Sequence, residues 1–181
     1  MNIRFRKYWL ILISLILFVV FISYAGLCEP VIIGKNAPAF NLQTLTGEDV
    51  FLNDYCGDGG VKKIKKVVLL SFWNSSCKHC IKEFELLNKL YDQYHEKGLE
   101  IFLVNIREKK DKINEIIDKN TTKIPVLLDI YGSVAERYGV QKTLPIMFLI
   151  NKAKIIQYEH TGVINDKEEA ELIKKIEELV K

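Results

Sequence analysis

The feature that most restricts the possible folds is the apolar run Val67-Val68-Leu69-Leu70-Ser71-Phe72-Trp73, which stops abruptly at Asn74-Ser75-Ser76. An unbroken run of Val, Leu and aromatic side chains has no polar face to offer water, so it predicts a strand covered on both sides. The polar triplet after it can cap a helix. Beyond the triplet, Ile81, Phe84, Leu87, Leu90, Tyr91 and Tyr94 recur at three- and four-residue spacings. That periodicity predicts an amphipathic helix from about Cys77 to Lys97, ended by Gly98.

The alternation continues downstream. Leu99 to Ile106 reads as a second buried strand, and Asp111 to Lys119 as a polar helix with Ile113, Ile116 and Ile117 on one side. Val126-Leu127-Leu128 is a short strand, and Gly132 to Tyr138 a short helix closed by Gly139. Ile146 to Ile150 turns through Asn151-Lys152-Ala153 into Lys154 to Tyr158, and a last helix opens at Asn165 with Glu168 as its capping-box partner. Upstream, Phe40 to Leu45 alternates in polarity, Thr46-Gly47 supplies a turn, and Val50-Phe51-Leu52 resumes, the pattern of a hairpin. Cys56-Gly57-Asp58-Gly59-Gly60 holds too much glycine for a regular element. Strands alternating with helices predict an α/β sandwich whose closing hairpin is antiparallel.

The amino terminus is of another kind. From Tyr8 to Cys28 there is no charged side chain, and Leu10 to Ile22 is nearly all Leu, Ile, Val and Phe. About 20 such residues match a transmembrane helix and exceed the roughly 7–15 of a cleaved signal peptide. Arg4, Arg6 and Lys7 precede the stretch, so everything after Cys28 is expected outside the cytoplasm. Cleavage after Ala25, which would leave a secreted or periplasmic protein, is the alternative. The expected division is therefore an anchor or signal segment over 1–28, and an extracytoplasmic domain over 29–181 entered through a short linker. The chain carries 26 Lys and Arg, three of them within 1–28, so the remaining 23 balance its 23 acids. A domain without net charge has no basic surplus with which to bind nucleic acid.

Cys77 and Cys80 fall where the buried strand meets the helix. At a helix N-terminus a thiolate meets unpaired N–H groups and the positive end of the dipole, which lowers its pKa and makes Cys77 the attacking sulfur. Cys80 lies over the same turn, close enough to close a disulfide with Cys77 and to resolve a mixed disulfide. Zinc would need four ligands, and the other cysteines, Cys28 and Cys56, lie in the tether and the glycine-rich loop. Covalent haem attachment would need His after the second cysteine, where Ile81 stands. No metal or cofactor is expected. Cys28 and Cys56 could pair with each other, or Cys28 could be acylated or free.

Gly34-Lys35-Asn36-Ala37-Pro38-Ala39-Phe40, Leu70-Ser71-Phe72-Trp73, the C-x-x-C and Lys82-Glu83-Phe84 resemble the TlpA/ResA-type thioredoxin-like oxidoreductases. Pro125-Val126-Leu127-Leu128-Asp129, Tyr138-Gly139-Val140 and Leu144-Pro145-Ile146-Met147-Phe148-Leu149-Ile150 continue the likeness in the same order. The resemblance covers about Ile33 to Gly162. It implies a thioredoxin-like sandwich with an N-terminal β-hairpin, preceded here by one transmembrane helix. It also implies an anchored, outward-facing enzyme that takes electrons from a membrane donor and keeps exported thiols reduced, apocytochrome c included.

The same resemblance implies that Pro145, after Leu144, is the cis-proline lying against the C-x-x-C, where the preceding backbone pairs with substrate. Glu83, one turn beyond Cys80, matches an acid that takes the proton from the second cysteine, and Trp73 forms a wall of the site. Ser71 replaces the buried Asp of ordinary thioredoxins, which leaves Glu83 as the proton acceptor. Lys78 and His79 depart from the pattern: two potential cations beside Cys77 favour its thiolate, and with it an oxidant. A disulfide-donating oxidase or isomerase is therefore the rival reading. A peroxiredoxin-like peroxidase would want Thr or Ser three residues before its reactive cysteine, where Cys77 precedes Cys80. A copper-handling module would use Cys77, Cys80 and a histidine as soft ligands.

Overall fold

A computed structural model describes residues 33–61, 65–140 and 143–181, together with Ile13. The stretch expected to span a membrane, with Ala25 and Cys28, lies outside them apart from Ile13. No helix among the described residues is long and apolar enough to cross a membrane.

In chain order the elements are β1 (Asn41–Thr44), β2 (Asp49–Phe51), α1 (Leu52–Tyr55), β3 (Val67–Trp73) and α2 (Lys78–Tyr94), which runs into a 3₁₀ turn over His95–Lys97. They continue as β4 (Leu99–Ile106), α3 (Lys110–Asn120), β5 (Val126–Asp129), α4 (Ser133–Arg137), β6 (Ile146–Ile150), β7 (Ile156–Thr161) and α5 (Asp166–Val180). The strands form one sheet in the order β2-β1-β5-β4-β3-β6-β7. β3 pairs in parallel with β4, and β4 with β5, while β6 runs antiparallel to both β3 and β7. The expected α/β sandwich with an N-terminal hairpin is what the chain forms, with β1 and β2 antiparallel.

Every residue of β3 is buried, as its composition required. Val68, Leu70 and Phe72 face one apolar cluster, with Phe40, Leu52, Tyr138 and Phe148. Val67, Leu69 and Trp73 face the other, built by α2, α3 and α5 through residues such as Phe84, Leu87, Ile113, Leu172 and Ile176. The period-two alternation of a strand thus feeds two cores, and no face of β3 remains for water.

Two boundaries differ from the sequence reading. Leu52 begins α1 instead of extending β2, because its N–H turns back to the Phe40 carbonyl at 3.1 Å and its side chain enters the core. The last strand starts at Ile156, not Lys154, because residues 151–155 form a tight turn. There the Asn151 side chain accepts the N–H groups of Ala153 and Ile155, and Lys154 adopts a positive φ of 66°. The helix end at Gly98, in a left-handed conformation at φ 104°, and the Asn165–Glu168 capping box are as expected.

The edge of the sheet holding the carboxyl ends of β3, β4 and β5 also receives the start of β6, since Phe72 pairs with Ile146. The opposite edge receives the amino-terminal segment, where the Gly34 N–H bonds the Ile156 carbonyl at 2.8 Å. Leu87, wholly buried on α2, locks that helix to the sheet. Leu87→Ala is expected to cost about 2–5 kcal/mol, read as a lower urea midpoint with an unchanged slope.

Candidate active site

β3 hands the chain to a turn that Asn74 organises. Its side-chain oxygen accepts the Ser76 N–H at 3.1 Å, and its carbonyl accepts the Cys77 N–H at 3.1 Å. Cys77 then occupies the N-cap of α2 in an extended conformation. Its sulfur accepts the Cys80 N–H at 3.2 Å, in the place where Ser or Asp would offer an oxygen. Cys77 and Cys80 are joined in a disulfide with their Cα atoms 5.3 Å apart.

The two sulfurs are not equivalent. Cys77 is half-buried, whereas Cys80 is only 1% exposed and belongs to the core under α2. An incoming thiolate can approach Cys77 alone. Lys78 and His79 occupy the exposed first turn, which contains no acid.

Glu83 follows on the inner face of α2 and is 5% exposed. One carboxyl oxygen accepts the Ile164 N–H at 3.4 Å, and the other has no partner among the described residues. Burial pushes its pKa up to about 7, against the smaller opposing pull of the Ile164 hydrogen bond. An open groove of about 290 Å³ runs alongside, lined by His79, Lys82, Glu83, Leu86, Val163 and Ile164 among others.

The Leu144–Pro145 peptide is cis, and Leu144 packs against both cores. The pairing of Phe72 with Ile146 brings these two residues beside Trp73 and the active-site turn. Trp73 itself is wholly buried, edge-on to Phe84 at 5.1 Å between ring centroids. It is a floor beneath the site instead of a wall that substrate could touch. Cys56, at the end of α1, is a buried free thiol whose pKa burial raises to about 12, far from a reactive thiolate. Among the described residues no three His, Cys, Asp or Glu side chains gather as metal ligands.

One residue escaped the sequence reading. Glu108, at the carboxyl end of β4, accepts the Ser75 N–H at 2.7 Å and the Ser75 hydroxyl at 2.6 Å. It also accepts Asn105 Nδ2 at 2.9 Å and Lys112 Nζ at 2.7 Å. Partial burial works against its ionisation, but the bonds from Asn105, Lys112 and Ser75 hold its pKa at about 2. Spacing reveals only the Glu108–Lys112 pair, four residues apart across the start of α3. The contact with Ser75 joins residues that are distant in sequence.

Residues 33–159 match the sequence signature of the AhpC/TSA family. The chain is 36% identical over 168 residues to the thiol-disulfide oxidoreductase ResA of Bacillus cereus, covering 92% of this chain and 91% of that protein. It is 31% identical over 155 residues to ResA of Geobacillus thermodenitrificans, covering 86% and 84% respectively. Among solved structures it superposes, with a TM-score of 0.73 and 27% identity, on a Chlorobium tepidum protein assigned provisionally as the thiol:disulfide interchange protein DsbE. That match covers 83% of this chain and 99% of the other.

The raised pKa of Glu83 sets a pH dependence that the oxidised protein must show. A carboxyl held above its unfolded value near 4.5 favours folding fully below that pH, and the advantage is lost as pH rises through about 7. Glu83→Gln is therefore expected to flatten the fall in stability between about pH 4.5 and pH 7, by about 2 kcal/mol. Urea titrations of both proteins at a series of pH values check this; parallel curves would mean that Glu83 is not desolvated as described.

Proposed function

The chain belongs to the AhpC/TSA family and, within it, to the ResA-type thiol–disulfide oxidoreductases, and on that premise we propose that it is an anchored reductase of exported disulfides. It is an enzyme of thiol–disulfide exchange with protein thiols. The observation that carries the finer reading is the asymmetry of the pair: an approachable Cys77 at a helix N-cap, backed by a buried Cys80 with a protonatable Glu83 one turn on.

In the proposed cycle the Cys77 thiolate attacks one sulfur of a substrate disulfide, forming a mixed disulfide and expelling the other sulfur as a thiolate. Glu83 takes the proton of Cys80, whose thiolate then attacks Cys77. The second substrate sulfur leaves, and the Cys77–Cys80 disulfide carries away the two electrons' worth of oxidation. A dithiol donor at the membrane restores the reduced pair. Leu144 and Pro145 line the approach to Cys77 and offer backbone to the substrate chain, Trp73 supports the turn from below, and Lys78 and His79 tune the thiolate.

Residues 1–28 are proposed as the anchor and 29–181 as the domain it holds outside the cytoplasm. The charge-free stretch and the three cations before it support this orientation. The naming of the relatives supports thiol–disulfide exchange, and for the reductase the proposed substrate is apocytochrome c, whose paired cysteines must be reduced before haem attachment. The exposed Lys78 and His79 favour the one competing direction, a donor of disulfides.

The reduction potential of the Cys77–Cys80 pair decides between them. A value near about −270 mV is expected, and one near about −120 mV would make the protein an oxidant. Cys77→Ser is expected to abolish exchange with a model disulfide. Cys80→Ser should instead accumulate the mixed disulfide, seen as an adduct by mass spectrometry.

A further inference from the structure

We infer that Glu108 is a positioning residue for thiol exchange, holding the turn that carries Cys77 in place by gripping Ser75 from the end of β4. This role rests on the reading of Cys77 as the attacking sulfur. A helix N-terminus stabilises a thiolate only while the sulfur stays at the cap, within reach of the free N–H groups. The disulfide fixes Cys77 while it is closed. Once it opens, the sulfur's position depends on what holds residues 74–76.

Two devices hold that turn. One is local: Asn74 bonds the N–H groups of Ser76 and Cys77. The other is Glu108, which takes both the N–H and the hydroxyl of Ser75, one oxygen for each. Glu108 is itself tied to the sheet through Asn105, whose register partner is Trp73, the last residue of β3. The strand that delivers the turn and the strand that grips it are thus neighbours, and the grip closes a short mechanical loop through residues 73–75 and 105–108, just before Cys77.

The β4–α3 segment is braced in turn. Arg107 holds a positive φ of 57°, uncommon for a residue with a side chain. Its guanidinium lies against Gly132 and reaches the Tyr131 carbonyl and Glu136. Gly132 itself sits at a positive φ of 71°, in the left-handed region that favours glycine. One strut runs from the β5–α4 loop through Arg107 and Glu108 to Ser75.

Chemistry restricts what can replace the carboxylate. All four of its partners are donors: an amide N–H, a hydroxyl, an amide NH₂ and an ammonium. Glutamine would turn an NH₂ toward some of them and leave donors unpaired. Aspartate keeps the charge but is one methylene too short to span the gap. The charged or titratable groups on the elements that carry Cys77 and its turn are Lys78, His79 and Glu83 on its own helix, and Glu108 and Lys112 from the β4 side. Arg107 is engaged elsewhere, and the β6 side presents uncharged Leu144 and Pro145.

The test separates position from charge, because they act with opposite sign. Removing a negative charge near Cys77 would lower its titration midpoint; losing its place at the cap would raise it. The midpoint is read on the reduced full chain by thiolate absorbance, beside the rate of attack on a small aromatic disulfide and the unfolding temperature. Glu108→Gln and Glu108→Asp are both expected to raise the midpoint by about one unit and slow attack at pH 7 about tenfold. Ser75→Ala should move both in the same direction by less, and add little when combined with Glu108→Gln.

A midpoint that falls in Glu108→Gln and stays in Glu108→Asp would assign Glu108 a through-space charge role and overturn the proposal. So would variants that lower only the unfolding temperature, or a Ser75→Ala effect that adds fully. Cys77→Ser, run alongside, isolates the underlying reading: exchange that survives in it removes Cys77 as the attacker, and the role of Glu108 with it.

Discussion

A helix cannot satisfy its own first N–H groups, and in this protein a sulfur atom answers that need. The Cys80 N–H donates to Cys77 Sγ across one turn of α2. Much else is arranged to bring this about. β3 must be buried on both faces so that it ends rigidly at Trp73, Asn74 must fold the chain back, and α2 must be locked by Phe84 and Leu87 to keep its first turn in register. The same N–H groups that cap the disulfide are those that would receive a thiolate when it opens, so one geometry serves both redox states.

Two glutamates flank the pair in opposite environments. Glu83 is buried with one oxygen unpartnered among the described residues, and its proton is held to about pH 7. Glu108 meets four donors and stays ionised down to about pH 2. Identical side chains thus divide into one that changes protonation near neutral pH and one that stays ionised there, the separation by environment seen wherever paired acids do different work.

The central architecture was legible because burial leaves marks in composition. β3 and β4 could be read from unbroken apolar runs, and α2 and α5 from their stripes and caps. The C-x-x-C was legible from its place between strand and helix. Less was visible wherever a side chain's role depends on a neighbour distant in sequence. Leu52 reads as strand by polarity alone, and only the Phe40 carbonyl explains why it turns into a helix. Trp73 looks like a site wall by adjacency to the cysteines, yet the strand's alternation sends it inward against Phe84. Glu108 gave no signal beyond its spacing from Lys112, since its link to Ser75 exists only after β3 and β4 pair.

The pairing of Gly34 with Ile156 has a consequence for access. Ile156 lies opposite Ile150, and Ile150 opposite Val68, so the chain enters the domain level with the start of β3. Trp73 is five residues further along that strand, roughly 17 Å at the usual rise, and the disulfide lies beyond it. Entry and reactive sulfur are therefore at opposite poles of the sheet. The anchor proposed for residues 1–28 would therefore join the domain at the pole away from Cys77, and a bulky folded partner would reach the sulfur without having to pass the point of attachment.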